Sequence, residues 1–366
     1  MEEKIIELEK LLLIPAPSGL EDLMVSEMRD RFLKYTKLVE VDNLGNVHAK
    51  FDGKSSDETM ILIFAHIDQI GLMVSKIETN GYLRFNRIGG VPEKTLMGTS
   101  VNVYSPDLNK SYPGVIGTYA HHLTPQSEKY SIPSYEKMYA DIGVDSREEV
   151  MAKGVSIGSP ILYQPSFRKL GENRICAPYL DNRVGDLILL ELAEYLSKKP
   201  AYGAVSLVAS VQEEFNVRGI LPIFERLNPK CAVCIDITPS CDTPDLNNIH
   251  EIALGKGPAV LHMNFHGRGT LGGLIPNPKL RKFIESCFEM TGINYQREVI
   301  IGEITDDAFV VMQGEYGVNI AHVSIPLRYT HSPNEVCDIR DINACYLGLR
   351  TFISNFNNDI DLSRGS

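Results

Sequence analysis

Apolar and polar positions along this chain repeat with two spacings, one helical and one extended. Residues 2–13 and 20–34 have apolar side chains at helical spacing, and the turn Ile-Pro-Ala-Pro-Ser-Gly separates these two predicted helices. Residues 39–42 and 47–50, joined by Asn-Leu-Gly-Asn, indicate a β-hairpin. Residues 60–65 are an unbroken apolar run, which is typical of a strand buried on both faces.

The pattern changes between residues 72 and 168, where short alternating segments rich in Gly, Pro and Tyr predict a small all-β module. After Asp181 helical and extended segments alternate again. This alternation predicts an α/β fold with a mainly parallel or mixed sheet, covered by helices and interrupted by the β module. The predicted elements are helix 184–198, strand 204–211, helix 219–227, strand 231–237, helix 278–291, strand 318–326 and helix 339–355.

Composition narrows the class of protein. The chain has 366 residues, enough for a large domain and a smaller one, and its net charge of -11 leaves no basic surface for a nucleic acid. We expect no membrane partner, since no apolar run reaches spanning length and the acidic start does not look like a signal peptide. Seven cysteines, an odd number, indicate reduced thiols and a cytoplasmic protein.

Cys231 and Cys234 are the only closely spaced cysteine pair. The pair could belong to a redox motif or a zinc knuckle, but no second pair lies nearby to complete a four-cysteine site. We therefore interpret both residues as small side chains of a buried strand.

Metal-ligand residue types stand where the predicted strands end. Because the carboxyl ends of strands in an open α/β sheet gather at one edge, these side chains are expected to lie together. Each has an ordinary alternative when taken alone: a loop histidine, a helix N-cap for Asp181, a solvated strand end for the Glu pair. Their joint occurrence favours a site. The candidates are His66, Asp68, Asp181, Glu213, Glu214, Asp236 and His331.

Two histidines and three carboxylates suit a pair of borderline divalent ions with one bridging carboxylate. Two such ions about 3.5–4 Å apart can share a hydroxide and polarise a carbonyl, as amide hydrolysis requires. In the Glu213-Glu214 pair, one carboxylate could be a ligand and the other a proton acceptor. Adjacency alone does not decide which is which.

Several segments, in order along essentially the whole chain, resemble the tetrahedral (TET-type) aminopeptidases, a family of glutamyl and deblocking aminopeptidases whose members often carry the name cellulase. Five segments span the candidate site, and two more lie outside it. They are Ala65-His-Ile-Asp-Gln-Ile-Gly-Leu-Met-Val74, Leu180-Asp-Asn-Arg-Val-Gly185, Val211-Gln-Glu-Glu214, Ile235-Asp236, Arg328-Tyr-Thr-His-Ser-Pro333, Gly255-Lys-Gly-Pro258 and Ile275-Pro-Asn-Pro278.

The resemblance implies a phosphorylase/peptidase-like three-layer α/β/α catalytic domain built from residues 1–71 and 169–366. It also implies that residues 72–168 form an inserted small β-barrel dimerisation domain. Members of this family commonly assemble dimers into twelve-subunit tetrahedra. His121 and His122 resemble an element of the inserted domain, and we interpret them as structural or as an inter-subunit contact rather than as ligands.

The same resemblance assigns roles at the site. It implies that His66, Asp181 and Asp236 hold one metal ion, and that Asp181, Glu214 and His331 hold the other. Glu213 would then be the general base, and Asp68 would orient His66. Thr305-Asp306 resembles an element near the N-terminus of the substrate.

Three departures from the family pattern concern substrate preference rather than the ligands. Gln69 stands where a Glu is usual. Phe215-Asn216-Val217 replaces Val-Gly-Leu, and Gly302-Glu303-Ile304 replaces a Gly-rich stretch.

The sequence thus predicts a cytoplasmic homo-oligomeric metalloaminopeptidase that acts on short peptides with two divalent ions, zinc or cobalt, with manganese as an alternative. A metal-dependent deacylase or carboxypeptidase could use the same site. A glycoside hydrolase would need only two carboxylates and no metal. A non-catalytic oligomeric scaffold is the third alternative. The preferred N-terminal residue is left open.

Overall fold

The strands and helices follow the two spacings of the sequence. The computed structural model describes residues 2–247, 249–266, 272–302, 305 and 307–365, without the side chains of 56–59 and 307–308. The helices of this part of the chain are α1 Glu2–Leu12, α2 Asp22–Phe32, α3 Arg147–Ala152, α4 Leu180–Lys198, α5 Leu221–Leu227, α6 Pro278–Thr291, α7 Asp307–Val310 and α8 Ile339–Asn355.

The strands fall into a large mixed sheet and a closed barrel. Over the described residues they are β1 Val39–Val41, β2 Val47–Phe51, β3 Ser56–His66, β4 Gly71–Ile77, β5 Leu83–Ile88, β6 Ser100–Tyr104, β7 Ser111–Gly117, β8 Tyr139–Asp141, β9 Pro160–Tyr163, β10 Arg168–Leu170, β11 Arg174–Ala177, β12 Gly203–Ser210, β13 Cys231–Pro239, β14 Ala259–Phe265, β15 Gly273–Leu274, β16 Gln296–Ile301, β17 Ile320–Arg328 and β18 Glu335–Asp338.

The centre of the large sheet is parallel, because β12, β3, β13 and β17 lie side by side and run in the same direction. Its full order is β1-β2-β12-β3-β13-β17-β18-β11-β10, and β14 joins β17 and carries β15 and β16. The parallel strands therefore all end at one edge of the sheet.

Side-chain alternation along β3 explains the three layers. Ile61 and Ile63 belong to the larger core, which also contains α1, α4 and α8, whereas Leu62 and Phe64 pack with α5 on the opposite face. Phe64 meets Phe224 of α5 edge to face at 5.6 Å between ring centroids. Helices thus cover both faces of the sheet, and continued alternation places His66 on the face of Phe64.

The barrel closes in the order β4-β5-β8-β7-β6-β9, all of it between residues 71 and 163. The α/β class with an inserted barrel is confirmed, while the domain limits at residues 72 and 168 stay a prediction. No helix in the described ranges is long and apolar enough to cross a membrane.

The predicted helices and strands after Asp181 all form, with ends shifted by a few residues: strand 318–326, for example, occupies Ile320–Arg328. Strands β14 and β16 were not predicted, and β16 alternates buried and exposed positions next to segments without a clear period. Cys231 and Cys234 both lie buried in β13, as the strand interpretation requires. All seven cysteines lie in the described part of the chain and are buried, and none forms a disulfide.

Candidate metal centre

The candidate ligands converge because their strands end level with one another. His66 is the last residue of β3 and stands opposite Ser210, the last residue of β12. Asp236 lies two residues beyond Cys234, which stands opposite Phe64. The loops after β12 and β17 then bring Glu213-Glu214 and His331 to the same edge.

Five of the candidates form two groups that share Asp181. One group is His66, Asp181 and Asp236, and the other is Asp181, Glu214 and His331. Within each group the potential ligand atoms lie within 4.8 Å of one another. The two carboxylate oxygens of Asp181 face different partners: Oδ1 lies 3.2 Å from His66 Nε2, and Oδ2 lies 3.4 Å from His331 Nε2.

Asp181 is not the N-cap of α4. Its ψ of 106° and the φ of -116° at Asn182 are non-helical, so the regular helix begins after them. The side chain of Asn182 accepts the Gly185 N–H at 3.0 Å and donates to the Ile235 carbonyl at 2.8 Å. Since Asn182 caps the helix, the Asp181 side chain is available to the site.

Hydrogen bonds at Nδ1 orient both histidines. His331 Nδ1 lies 3.0 Å from the Gly90 carbonyl, and His66 Nδ1 lies 3.2 Å from the Asp68 carbonyl. A proton on each Nδ1 leaves Nε2 with its lone pair toward the carboxylates, as metal ligation requires. A Cβ at Gly90 would lie 3.0 Å from His331 Nδ1, so a side chain there would require the imidazole to shift by a few tenths of an ångström.

The Asp68 carboxylate holds the backbone of the Glu pair. It accepts the N–H of Glu213 at 2.9 Å and that of Glu214 at 3.0 Å, and it also accepts the Ser18 hydroxyl. Its Oδ1 lies 3.5 Å from His66 Nδ1. Asp68 is fully buried, so these contacts replace its hydration.

Gln69 points away from this chemistry. Its side-chain oxygen accepts the Ala16 N–H at 3.0 Å, and its backbone N–H donates to the Ala16 carbonyl at 2.9 Å. The departure from the family's usual Glu therefore concerns the attachment of the N-terminal segment.

Electrostatics at the cluster reflect an excess of negative charge. Burial raises the pKa values of Glu214 and Asp236 above the ordinary carboxyl range. Burial acts in the same direction on Asp181, but hydrogen bonds from His331 and His66 outweigh it and hold the pKa of Asp181 below its ordinary value. Burial would lower the pKa values of both histidines, yet the neighbouring carboxylates raise them well above the usual 6.5.

Glu213 belongs to neither ligand group, yet its Oε2 lies 3.9 Å from His66 Nε2. It is 8% exposed, in a turn where Gln212 has a left-handed φ of 57°. The turn presents two consecutive carboxylates to the same edge of the sheet, one in a ligand group and one beside it.

Two buried residues that sequence reasoning missed support the site. Arg183 lies between the end of α1 and the end of β3: it donates to the carbonyls of Leu11, Ile14 and Ile67 and pairs with Asp186 at 3.3 Å.

The second missed residue is Glu335, which accepts the backbone N–H groups of Asp181 at 3.2 Å and of His331 at 2.7 Å. The sequence signal that could have indicated it is the place of Glu335 four residues after His331 and directly before the apolar pair Val336-Cys337.

A cleft of about 670 Å³ opens above the ligand groups. Asn216 and Val217, two of the departures from the family pattern, line it, as does Thr305, whereas Phe215 is half-exposed against Arg218. Glu303, Ile304 and Asp306 lie outside the described residues. Away from the ligand groups the lining is mostly apolar, with His250 and His266 among it; its apolar members include Ile237, Pro239, Cys241, Leu246, Ile249, Ile300 and Ile301.

Known proteins share this architecture. A putative aminopeptidase, SgcX, of Escherichia coli is 40% identical over 331 residues, 90% of this chain and 88% of that protein. A lysyl aminopeptidase of Pyrococcus furiosus is 33% identical over 338 residues, 92% of each chain. The TET1 peptidase of Pyrococcus horikoshii, which can assemble into a tetrahedron or a large octahedral shell, superimposes with a TM-score of 0.83 at 26% identity, over 96% of this chain and 100% of that one.

Residues 45–347 match the family described as M42 glutamyl aminopeptidase. The match covers the strand ends and loops that carry both ligand groups. The predicted resemblance and the predicted peptide hydrolysis are therefore confirmed, and this chain is a member of the M42 glutamyl aminopeptidase family.

Proposed function

We propose that this aminopeptidase uses two divalent metal ions, one held by His66, Asp181 and Asp236 and the other by Asp181, Glu214 and His331. The observation that carries the proposal is the position of Asp181, whose two oxygens face the two histidines at 3.2 and 3.4 Å. Imidazole nitrogens with carboxylate oxygens suit zinc, cobalt or manganese better than calcium or magnesium.

The charge of the cluster supports the same proposal. The carboxyl groups of Asp181, Glu213, Glu214 and Asp236 face two imidazoles, and leaving such groups buried without compensation is costly. Two divalent cations would balance that charge. When bound, they would polarise the scissile carbonyl and lower the pKa of the attacking water.

Glu213 is the proposed general base. It lies beside the shared ligands without belonging to either ligand group, so its carboxylate can accept a proton from the attacking water and return it to the leaving amine. Asp68 fixes the backbone of Glu213, which limits the positions that this carboxylate can reach.

The mostly apolar lining of the cleft favours substrates with an uncharged aliphatic side chain next to the scissile bond. A leucyl anilide should then be hydrolysed faster than lysyl or glutamyl anilides, because a charged side chain would be desolvated against Ile237 and Ile300. Equal or higher rates with a charged anilide would contradict this preference.

One assay separates the proposed function from its alternatives. Hydrolysis of aminoacyl anilides should stop on chelation and return with zinc, cobalt or manganese, and the ion giving the highest turnover identifies the working metal. An N-acetylated anilide should resist cleavage. Its hydrolysis would favour a deacylase, glucan hydrolysis that survives chelation would favour a glycoside hydrolase, and no hydrolysis at all would favour a scaffold.

We also propose a cytoplasmic, homo-oligomeric enzyme whose residues 72–168 form the dimerisation domain of a tetrahedral dodecamer. Tyr119, Leu123 and Tyr130, in the segment between β7 and β8, are each more than 70% exposed, as side chains of an interface would be in a single chain. His121 and His122 lie in the same exposed segment and in neither ligand group. Light scattering should report twelve copies of the 40.8 kDa chain.

A further inference from the structure

We propose that Glu335 is a positioning residue that sets the spacing between Asp181 and His331, and through it the geometry of the second ion's ligands. This inference rests on the proposed metal pair. Among the described residues, Glu335 does not itself line the cleft and belongs to neither ligand group. It acts through hydrogen bonds to the backbone of Asp181 and His331, which are proposed ligands.

The contacts of Glu335 are divided between the two ligands. Oε2 accepts the Asp181 N–H at 3.2 Å, and Oε1 accepts the His331 N–H at 2.7 Å. One rigid carboxylate therefore joins the start of α4 to the loop after β17. The side chains of the same two residues approach each other, with His331 Nε2 lying 3.4 Å from Asp181 Oδ2.

The position of Glu335 is fixed from both sides. It is the first residue of β18, where it stands opposite Ala177 of β11, and the same strand pairs with the end of β17. Only 1% of Glu335 is exposed, so its side chain cannot turn toward solvent. The carboxylate is thus a fixed point built from the sheet rather than from the loops.

The ligand backbones need such a fixed point because regular secondary structure does not hold them. His331 has a left-handed φ of 63°, as does Tyr329 at 59°, and Asp181 is non-helical. A left-handed backbone at a non-glycine residue such as His331 persists only where surrounding contacts over-determine it. A carboxylate can accept both N–H groups at once, whereas an amide at the same place would turn a donor toward one of them.

The test compares Glu335→Gln with Asp341→Asn. Asp341 is a matched control, since it is also 1% exposed and also accepts two backbone N–H groups, those of Gly255 at 2.7 Å and Gly257 at 2.8 Å. Neither glycine is a ligand. Each variant thus removes a buried carboxylate that accepts two backbone N–H groups, but only the carboxylate of Glu335 binds the backbone of proposed metal ligands.

Calorimetric titration of metal-free protein with zinc measures both ions directly. In Glu335→Gln one of the two binding steps should lose about 10- to 100-fold in affinity. The rate constant kcat should fall at limiting zinc and recover in excess zinc, with KM little changed. In Asp341→Asn only the thermal midpoint should fall, and both zinc affinities should stay those of the wild type.

Wild-type zinc affinities in a folded Glu335→Gln protein would overturn the inference, and so would equal losses in the two variants. If Glu335→Gln does not fold, Glu335→Asp keeps the charge but shortens the reach, and it should show the same selective loss. A wild-type protein that binds no pair of ions would instead refute the proposed function, which keeps the two failures distinguishable.

Discussion

Asp68 and Glu213 are joined by a hydrogen bond of 2.9 Å from the Glu213 backbone N–H to the Asp68 carboxylate. The same carboxylate accepts the next N–H, that of Glu214, at 3.0 Å. The backbone of the proposed base, Glu213, and that of the proposed ligand, Glu214, are thus both held by the buried Asp68 carboxylate. The geometry of the Glu pair depends on a residue at the end of the neighbouring strand.

Replacing Asp68 with Asn should lower kcat by about 10- to 100-fold while the fold persists. An amide presents one acceptor oxygen, so it cannot receive both N–H groups and the Ser18 hydroxyl. Steady-state kinetics at saturating metal would measure the loss. Unchanged kcat in a metallated Asp68→Asn protein would show that this anchor is dispensable.

Gln69→Glu, one residue further along the chain, should leave the ranking of aminoacyl anilides unchanged. The Gln69 side chain binds the Ala16 backbone and does not line the cleft, and a carboxylate can accept the same N–H. The ratios of kcat/KM across leucyl, lysyl and glutamyl anilides are the readout. An altered ranking would mean that residue 69 acts on the substrate.

Glu213→Gln should retain two metal ions and lose about 10²- to 10⁴-fold in kcat, because the amide cannot accept a proton. Glu214→Gln is the comparison, since it alters a member of a ligand group and should lower the metal content. Metal analysis after dialysis and anilide hydrolysis measure the two effects. A fully metallated Glu213→Gln protein with wild-type turnover would remove Glu213 from its role.

His48, which belongs to neither ligand group, should make the stability of the fold depend on pH. Burial, with a smaller effect of Arg226, lowers its pKa from 6.5 to about 4, and its Nε2 lies 2.8 Å from the Ser206 hydroxyl. Between those pH values the unfolded chain binds the proton and the folded chain does not. Its contribution is therefore fully present above pH 6.5 and is lost as the pH falls toward 4, by at most about 3 kcal/mol.

Urea unfolding of the wild type and His48→Gln at pH 4.5 and pH 7 would test this. The change in the free energy of unfolding between pH 4.5 and pH 7 should be smaller in the variant than in the wild type, because the other titrating groups contribute equally to both proteins. Equal differences in both proteins would contradict the assignment.

Arg183→Met should destabilise the protein by about 3–5 kcal/mol, since it leaves Asp186 buried without its cation. The charged form of Asp186 is already costly, because burial raises its pKa to about 7 even beside Arg183. Urea unfolding measures the loss. The double variant with Asp186→Leu should recover part of it, and a single variant as stable as the wild type would exclude a supporting role.

Local sequence identified most of the fold because most elements carry their own signal. Helix α8 spans residues 339–355 as predicted, since its apolar positions recur at helical spacing. Strands β14 and β16 were missed although β16 alternates buried and exposed positions, because each is only six or seven residues long and short extended runs are ambiguous in sequence. The contact of Glu335 with Asp181, 154 positions away along the chain, has no local signal, whereas its contact with His331 spans only four positions.

The sequence by itself determined the fold class, the family and the residue types that stand at the ends of the parallel strands. Those features depend on side-chain periodicity and on motifs that can be read one segment at a time. Only the tertiary structure decided that Asp181 faces two histidines, that Asn182 rather than Asp181 caps α4, and that Asp68 and Glu335 hold the ligand backbones. Apart from the Asn182 cap and the Glu335–His331 contact, which are local, these contacts join residues far apart in the chain. They exist only when the sheet brings the strand ends together.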